Sequence, residues 1–327
     1  MSSRISRLLI VALFSACAAT GALAAATGKT KAKSPAKPAA STVPALVWRG
    51  DYATARGVVE DVGKAWEKSG KGRIEMQPFN TASGLDAVAH GTADIAGSAR
   101  GSAGGTESDL VFLPVAYDAL VMITHPSNQV SNLTIAQLHQ IYFGKITNWK
   151  EVGGKDAPIN LYAVASPGDG VEYSLRRLIF GRGNQPVAAP RLYVNTAKLE
   201  EAVTLDPNAL GVTTLSGVAS NSKVKMVSVD GTRPSVSTVT SGSYLLYTPL
   251  YLVTNKNNPK AAQIEAFMEF IKTDAVKALA RQHQLVPYTD APALAEQDNA
   301  RRAKILAENG IKMPVEEPTP ASGVLHQ

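Results

Sequence analysis

Three short stretches place hydroxyls, glycines and one arginine where a strand gives way to a helix. In PFNTASGLDAV, Thr81 and Ser83 supply hydroxyls and Gly84 permits close backbone approach, while a helix predicted to begin near Leu85 turns its free N–H groups into the loop. In GTADIAGSARGS, Ser98 and Arg100 fall just past a strand. In ASPGDGVEYSLRRL, Ser166, Gly168 and Gly170 precede a helix predicted to start at about Val171. A helix N-terminus carries unpaired donors and about half a positive charge, so it can hold an anion without a lysine. Arginine's planar fork suits oxyanions as well. Each loop can equally be read as simple capping. Asp169 fits that reading better, since an acid at a helix start caps it and repels a full anion. Arg100 by itself reads as a surface arginine, but three such elements in one chain favour a common anion cradle.

The rest of the inventory offers little catalysis. His90, His125, His139, His283 and His326 are scattered, with no HExxH pair and no carboxylate-rich cluster around any of them, so neither a metal site nor a cofactor is expected. A GxSxG elbow, a Walker A loop and a GxGxxG fingerprint are all missing. Without a nucleophile and base pair, an enzyme is the least favoured class.

The elements that must position the three loops are short apolar runs alternating with amphipathic segments. ALVWRG, RIEMQPF, DIAGSA, DALVMITHP, INLYAVAS, LGVTTL and KVKMVSV read as strands, and YLLYTPLYLVTN as a long extended run. GVVEDVGKAWEKSG, SGLDAVAHG, TIAQLHQIYFG and YSLRRLIFG read as helices, and the stretch from Pro259 to Gln284 as two helices joined near Thr273. This alternation argues an α/β fold with mostly parallel sheets, whose ligands sit at the carboxyl ends of strands.

Composition bounds the rest. The 327 residues, 45% apolar and 18% charged, suffice for two domains or one large one, with a sizeable core. The first 24 residues carry Arg4 and Arg7, an apolar run from Leu8 to Cys17 and then Ala22-Leu23-Ala24. That is the pattern of a secretory signal peptide, and cleavage is expected after Ala24. The competing reading is lipid attachment at Cys17, for which Phe14 is a poor fit. Cys17 is the only cysteine, so cleavage after Ala24 leaves no disulfide or thiol chemistry. Residues 25–44 are rich in Lys, Ala and Pro and read as a spacer; residues 315–327 read as a disordered tail. Of 33 Lys and Arg, two lie in the leader and four in the spacer, which leaves 27 against 27 Asp and Glu. The body is formally neutral, so the high pI reports the spacer and argues against a nucleic-acid partner.

From about Ala45 to Tyr288 the chain resembles the PstS-like periplasmic phosphate-binding proteins of ABC transporters. The likeness is densest in SGLDAVAHGTADIAGSAR, in the LxxIYFGKITNWxxVGG pattern of residues 138–154, in DPNALGVTTLS and in VDGTRPSVSTVTSGSYLLYTPLYLVTN. The resemblance implies an α/β, two-lobe periplasmic-binding-protein type II fold with a hinge of two crossing strands. One lobe would comprise residues 45–123 and 244–314, the other 124–243, with crossings near Ile123 to Pro126 and Tyr244 to Tyr251. It also implies no catalysis, phosphate or another small anion as ligand, a membrane transporter complex as partner, and a periplasmic monomer. Ser83 and Gly84 would match one family loop, and Ser98 with Arg100 another, with Ala99 where other members have a ligand-facing Asp or Ser. Departures are concentrated in two places. The family's Gly-Ser-Gly-Thr loop is SPGDGVEYS here, with Asp169 or Glu172 where hydroxyls are expected. The turn after the first strand is RGDYATARG, where only Thr54 or Tyr52 could offer a hydroxyl. On this reading Thr54, Thr81, Ser83, Gly84, Ser98 and Arg100 hold one side of a ligand, and Ser166, Gly168, Asp169 and Gly170 the other. Affinity for phosphate is then expected to be weaker than in a full-motif member. The alternative is the same scaffold with an altered site that takes a different solute or serves as an interaction or sensing module.

Overall fold

The chain folds in the order β1 (Leu46–Gly50), α1 (Tyr52–Thr54), a π-helical turn (Ala55–Val59), α2 (Glu60–Lys68), β2 (Ile74–Pro78), α3 (Thr81–Ala89), β3 (Ile95–Ser98) and β4 (Leu110–Thr124). Then come β5 (Asn132–Leu133), α4 (Ile135–Tyr142), β6 (Asn160–Val164), α5 (Gly170–Phe180), β7 (Arg191–Tyr193), α6 (Thr196–Val203), β8 (Ala209–Thr214), α7 (Leu215–Val218) and β9 (Lys225–Val229). The last part is α8 (Val236–Thr240), β10 (Tyr247–Asn255), α9 (Ala261–Ile271), α10 (Asp274–Gln282), β11 (Val286–Pro287), α11 (Pro292–Glu296) and α12 (Asp298–Glu308). This computed structural model describes residues 45–166 and 168–312, all within one compact unit. The leader, Cys17, the spacer and the tail lie outside the described residues.

The strands form the order β2-β1-β3-β10-β4-β8-β6-β7, with β9 and β11 also on β4, and β5 on β9. Parallel pairing holds within β2-β1-β3, within β8-β6-β7 and between β5 and β9. Every pair made by β4 or β10 is antiparallel. The sheets are therefore mixed, which corrects the expectation of mostly parallel ones. Strands that run between lobes are not bound by the right-handed crossover that makes neighbours parallel.

Strand β4 is the element common to both lobes. Its first part, Leu110 to Ala119, pairs with β10; its last part, Leu120 to Thr124, pairs with β8. A register shift between Leu250 and Tyr251 leaves Val115 without a partner beside Pro114, which has no N–H to give the ladder. From Ala116 onward every residue of β4 is buried. Strands β3 and β8 are buried throughout as well, as expected of strands covered on both faces. The result is the two-lobe α/β architecture.

Helix starts determine where the loops point. Helix α3 begins at Thr81, four residues before the expected start, because Asn80 caps it by accepting the Ser83 N–H at 2.8 Å. Helix α5 begins at Gly170. The break between α9 and α10 falls at Thr273, as the spacing predicts. Helices α11 and α12 were not expected. Helix α12 packs against α5 and α4 and is tied to the start of β10 by Arg301, whose Nη1 donates to Leu245 O (2.9 Å) and Tyr247 O (2.8 Å).

Candidate functional site

The carboxyl ends of β1 and β3 and the starts of α1, α3 and α5 converge on one buried polar cluster. Its centre is Asp51, which is not among the site residues expected from the sequence. Asp51 is the N-cap of α1, and its carboxylate accepts the Thr54 N–H (2.8 Å), the Thr54 hydroxyl (3.0 Å) and the Thr81 hydroxyl (3.0 Å). Asp51, Thr54 and Thr81 are all buried. Burial pushes the Asp51 carboxyl up from its ordinary value against the pull of these donors. Thr81 also accepts the Ala99 N–H at 3.3 Å, so one hydroxyl joins the ends of β1 and β3.

Of the first predicted loop, Thr81 reaches the cluster. The Ser83 hydroxyl instead donates to Asn80 O (3.1 Å) within its own helix turn. At Gly84, a Cβ would stand 2.5 Å from Arg49 O, so this glycine lets α3 lie directly on β1.

Ser98 and Arg100 are buried, but both are engaged with neighbours. The Ser98 hydroxyl donates to Arg100 O at 2.7 Å. The Arg100 guanidinium meets both carboxylate oxygens of Glu107, with Nη1 and Nη2 at 2.8 and 2.7 Å, and Nη1 also donates to Gly101 O. Its Nε donates across the cleft to Gly168 O at 3.1 Å.

The second-lobe loop presses on the first lobe. Ser166 O accepts the Asp169 N–H (3.1 Å) in a turn that brings Gly170 against α3. A Cβ at Gly170 would meet Thr81 Oγ1 at 2.5 Å and Ala99 N at 2.8 Å, so only glycine lets the two lobes approach this closely. One turn on, Ser174 Oγ donates to Ala99 O (2.8 Å), with Thr248 Oγ1 3.1 Å from both atoms. Asp169 sits at the N-cap of α5 without making the expected cap bond. It is fully buried, and neither carboxylate oxygen has a hydrogen-bond partner. Burial first, then the nearby Asp51 and Glu172 carboxylates, push Asp169 up to about 7, against weaker opposition from Arg100 and from the Glu172 N–H, which lies outside hydrogen-bonding geometry. Glu172 is buried too and pairs with Arg176 at 3.0 Å.

A second set of contacts crosses between the lobes beside this cluster. Arg56 pairs with Glu200 at 2.7 Å, and Glu200 accepts the Thr213 hydroxyl. Buried Asp118 of β4 accepts the Ser216 hydroxyl and the Ser216 N–H (3.2 Å) at the start of α7; burial pushes it up to about 7.

Thr54, Thr81, Ser98, Arg100, Gly168, Asp169 and Gly170 are thus brought to one inter-lobe junction. Ser83 and Gly84 serve the packing of α3, and Ser166 O serves the turn. Asp51, Glu107 and Ser174 were missed. A signal existed for Asp51, since an Asp three residues before a Thr at a strand end is an N-cap pattern. Glu107, in a run of Gly and Ser, gave none. Chemically, the site is a set of N–H and hydroxyl donors converging on an oxyanion, with acids in excess around it.

Comparison with known proteins gives a consistent result. A family model described as a PBP superfamily domain matches residues 37–275. The phosphate-binding protein PstS of Borreliella burgdorferi is 32% identical over 165 residues, 48% of this chain and 58% of that protein, so the match spans little more than half of that relative. The phosphate-binding protein PstS of Bacillus subtilis is 26% identical over 236 residues, 69% of this chain and 75% of that protein. A phosphate ABC transporter substrate-binding protein of Clostridium perfringens, solved with bound phosphate, superposes with a TM-score of 0.70 at 25% identity, covering 75% of this chain and 99% of that one.

Proposed function

The chain belongs to the PBP superfamily, and from that premise we propose that it is the solute-binding protein of a phosphate-type ABC transporter. It works outside the cytoplasm after loss of the first 24 residues and hands its solute to a membrane complex. Its task is binding, not catalysis. The lobes are residues 45–123 with 244–314, and residues 124–243. The ligand is phosphate or a related small oxyanion, taken between them.

The observation that carries this reading is the convergence of the Thr54 N–H and the Thr54 and Thr81 hydroxyls on a carboxylate, itself an oxyanion. Groups so arranged donate to an anionic oxygen in a buried setting, where charge-assisted bonds are strong. Asp51 already takes these donors and Glu107 takes Arg100, so an incoming anion competes with the protein's own acids. Each charge-assisted bond forgone is worth about 1.5 to 3 kcal/mol, so affinity falls well below that of a site with free donors.

The same occupancy favours a second reading, in which the scaffold keeps its closed form as an interaction or sensing module. Isothermal titration with phosphate, and with sulfate as control, separates the two. Saturable, phosphate-selective heat that is lost in Arg100→Ala and Thr81→Val supports the first reading. No heat up to millimolar phosphate overturns it in favour of the second, and nanomolar affinity overturns the expected competition.

A further inference from the structure

The acids at the lobe junction outnumber the bases. Asp51, Asp169, Glu172 and Glu107 stand against Arg100 and Arg176, and each guanidinium is already committed, Arg100 to Glu107 and Arg176 to Glu172. Asp51 is compensated by neutral donors only, and Asp169 by no hydrogen bond at all. An isolated carboxylate in such surroundings does not stay ionised when a proton is to be had.

We propose that Asp51 and Asp169 together form a proton-binding site between the lobes, so that closing the cleft takes up a proton and acid favours the closed form. The two residues come from opposite lobes. Asp51 ends the first strand of one, and Asp169 opens a helix of the other. They are brought near each other because Gly170 lets α5 press on Thr81, whose hydroxyl is bonded to Asp51. Separation of the lobes returns Asp169 to water and removes Asp51 from its side. This inference goes beyond solute binding and stands whether or not phosphate is the solute.

The groups facing the pair set the sign. Asp169 faces Asp51 from the start of α1, Glu172 from its own helix and Arg100 from the end of β3; Glu172 in turn faces Arg176 and Tyr142. In the closed form the Asp169 carboxyl rises to about 7. In water an aspartate titrates near about 3.9. Between these values the closed form holds a proton that the open form lacks, so the closing constant falls about tenfold per pH unit as pH rises, and levels off above about 7. The proton resides on the pair as a unit.

Small-angle X-ray scattering of the chain in anion-poor buffer at pH 5 and pH 8, at matched ionic strength, tests this. The radius of gyration is expected to be smaller at pH 5. Asp169→Asn, which carries no charge at either pH, is expected to stay compact at both. An unchanged radius in the unsubstituted protein overturns the proposal, as does a full pH response in Asp169→Asn. Should that variant not fold, Asp51→Asn reads the same pair, and a pH response of unchanged size in it is equally fatal. Because no phosphate is present, the outcome is independent of the titration described above.

Discussion

Thr81 holds the junction together through a single oxygen that donates to Asp51 and accepts from the Ala99 N–H. Thr81→Val keeps the shape and removes both bonds, leaving a buried N–H and a carboxylate short of a donor. A loss of about 1 to 3 kcal/mol in chemical denaturation is expected, with Thr81→Ser close to the parent. Glu107 has the opposite character, since it holds Arg100, the arginine that the sequence offered to an anion. Glu107→Gln gives up the charge of the pair while keeping its shape, and phosphate affinity by isothermal titration should rise by roughly tenfold. At this scale the sequence was legible for residue types and only partly for their roles. Thr81 and Arg100 could be singled out because hydroxyls and an arginine gathered at several strand ends have few uses, and Thr54 through the family resemblance. That Asp51 takes the donors instead depends on a bond to a residue thirty positions away, and no local pattern records it. The pairing of Arg100 with Glu107 rests on how one Gly-rich loop folds back.

Helix α5 shows how a whole element can be steered by the atom its first residue lacks. Gly170→Ala places a methyl group on Thr81 and Ala99, and the helix must withdraw. The expected result is a larger radius of gyration in scattering and weaker anion binding. The melting temperature should fall as well, because withdrawal of α5 draws Val171 and Leu175 away from the core they help to fill. Most elements could be read in advance, since buried strands such as β8 and amphipathic helices such as α10 announce themselves by period. The antiparallel pairing around β4 and β10 was not legible, since an apolar run looks the same in either direction. Helix α12 was overlooked because DNARRAKILAE is highly charged. Two of its arginines, Arg301 and Arg302, are nonetheless buried, and the Arg301 guanidinium lies 3.6 Å from the Tyr247 ring centre while bonding backbone carbonyls.

Across the whole molecule, the buried acids give stability a pH dependence. Asp118 rises to about 7 on folding, chiefly through burial, whereas the unfolded chain releases that proton near about 3.9. Between those values the native state binds the extra proton. Its contribution is therefore complete below about 3.9 and is lost as pH rises through about 7. Urea midpoints measured from pH 4 to 8 should fall over that window and flatten above it, and Asp118→Asn should make the decline shallower. A midpoint that climbs from pH 5 to 7 would contradict the burial of these groups. The docking of α12 has a bearing on how the molecule comes together. It packs on α5 and α4 and clamps the beginning of β10, although it lies far from both helices along the chain. Local pairing therefore leaves part of α5 and α4 uncovered until this distant segment returns to them, and closing so long a loop is a slow event in folding.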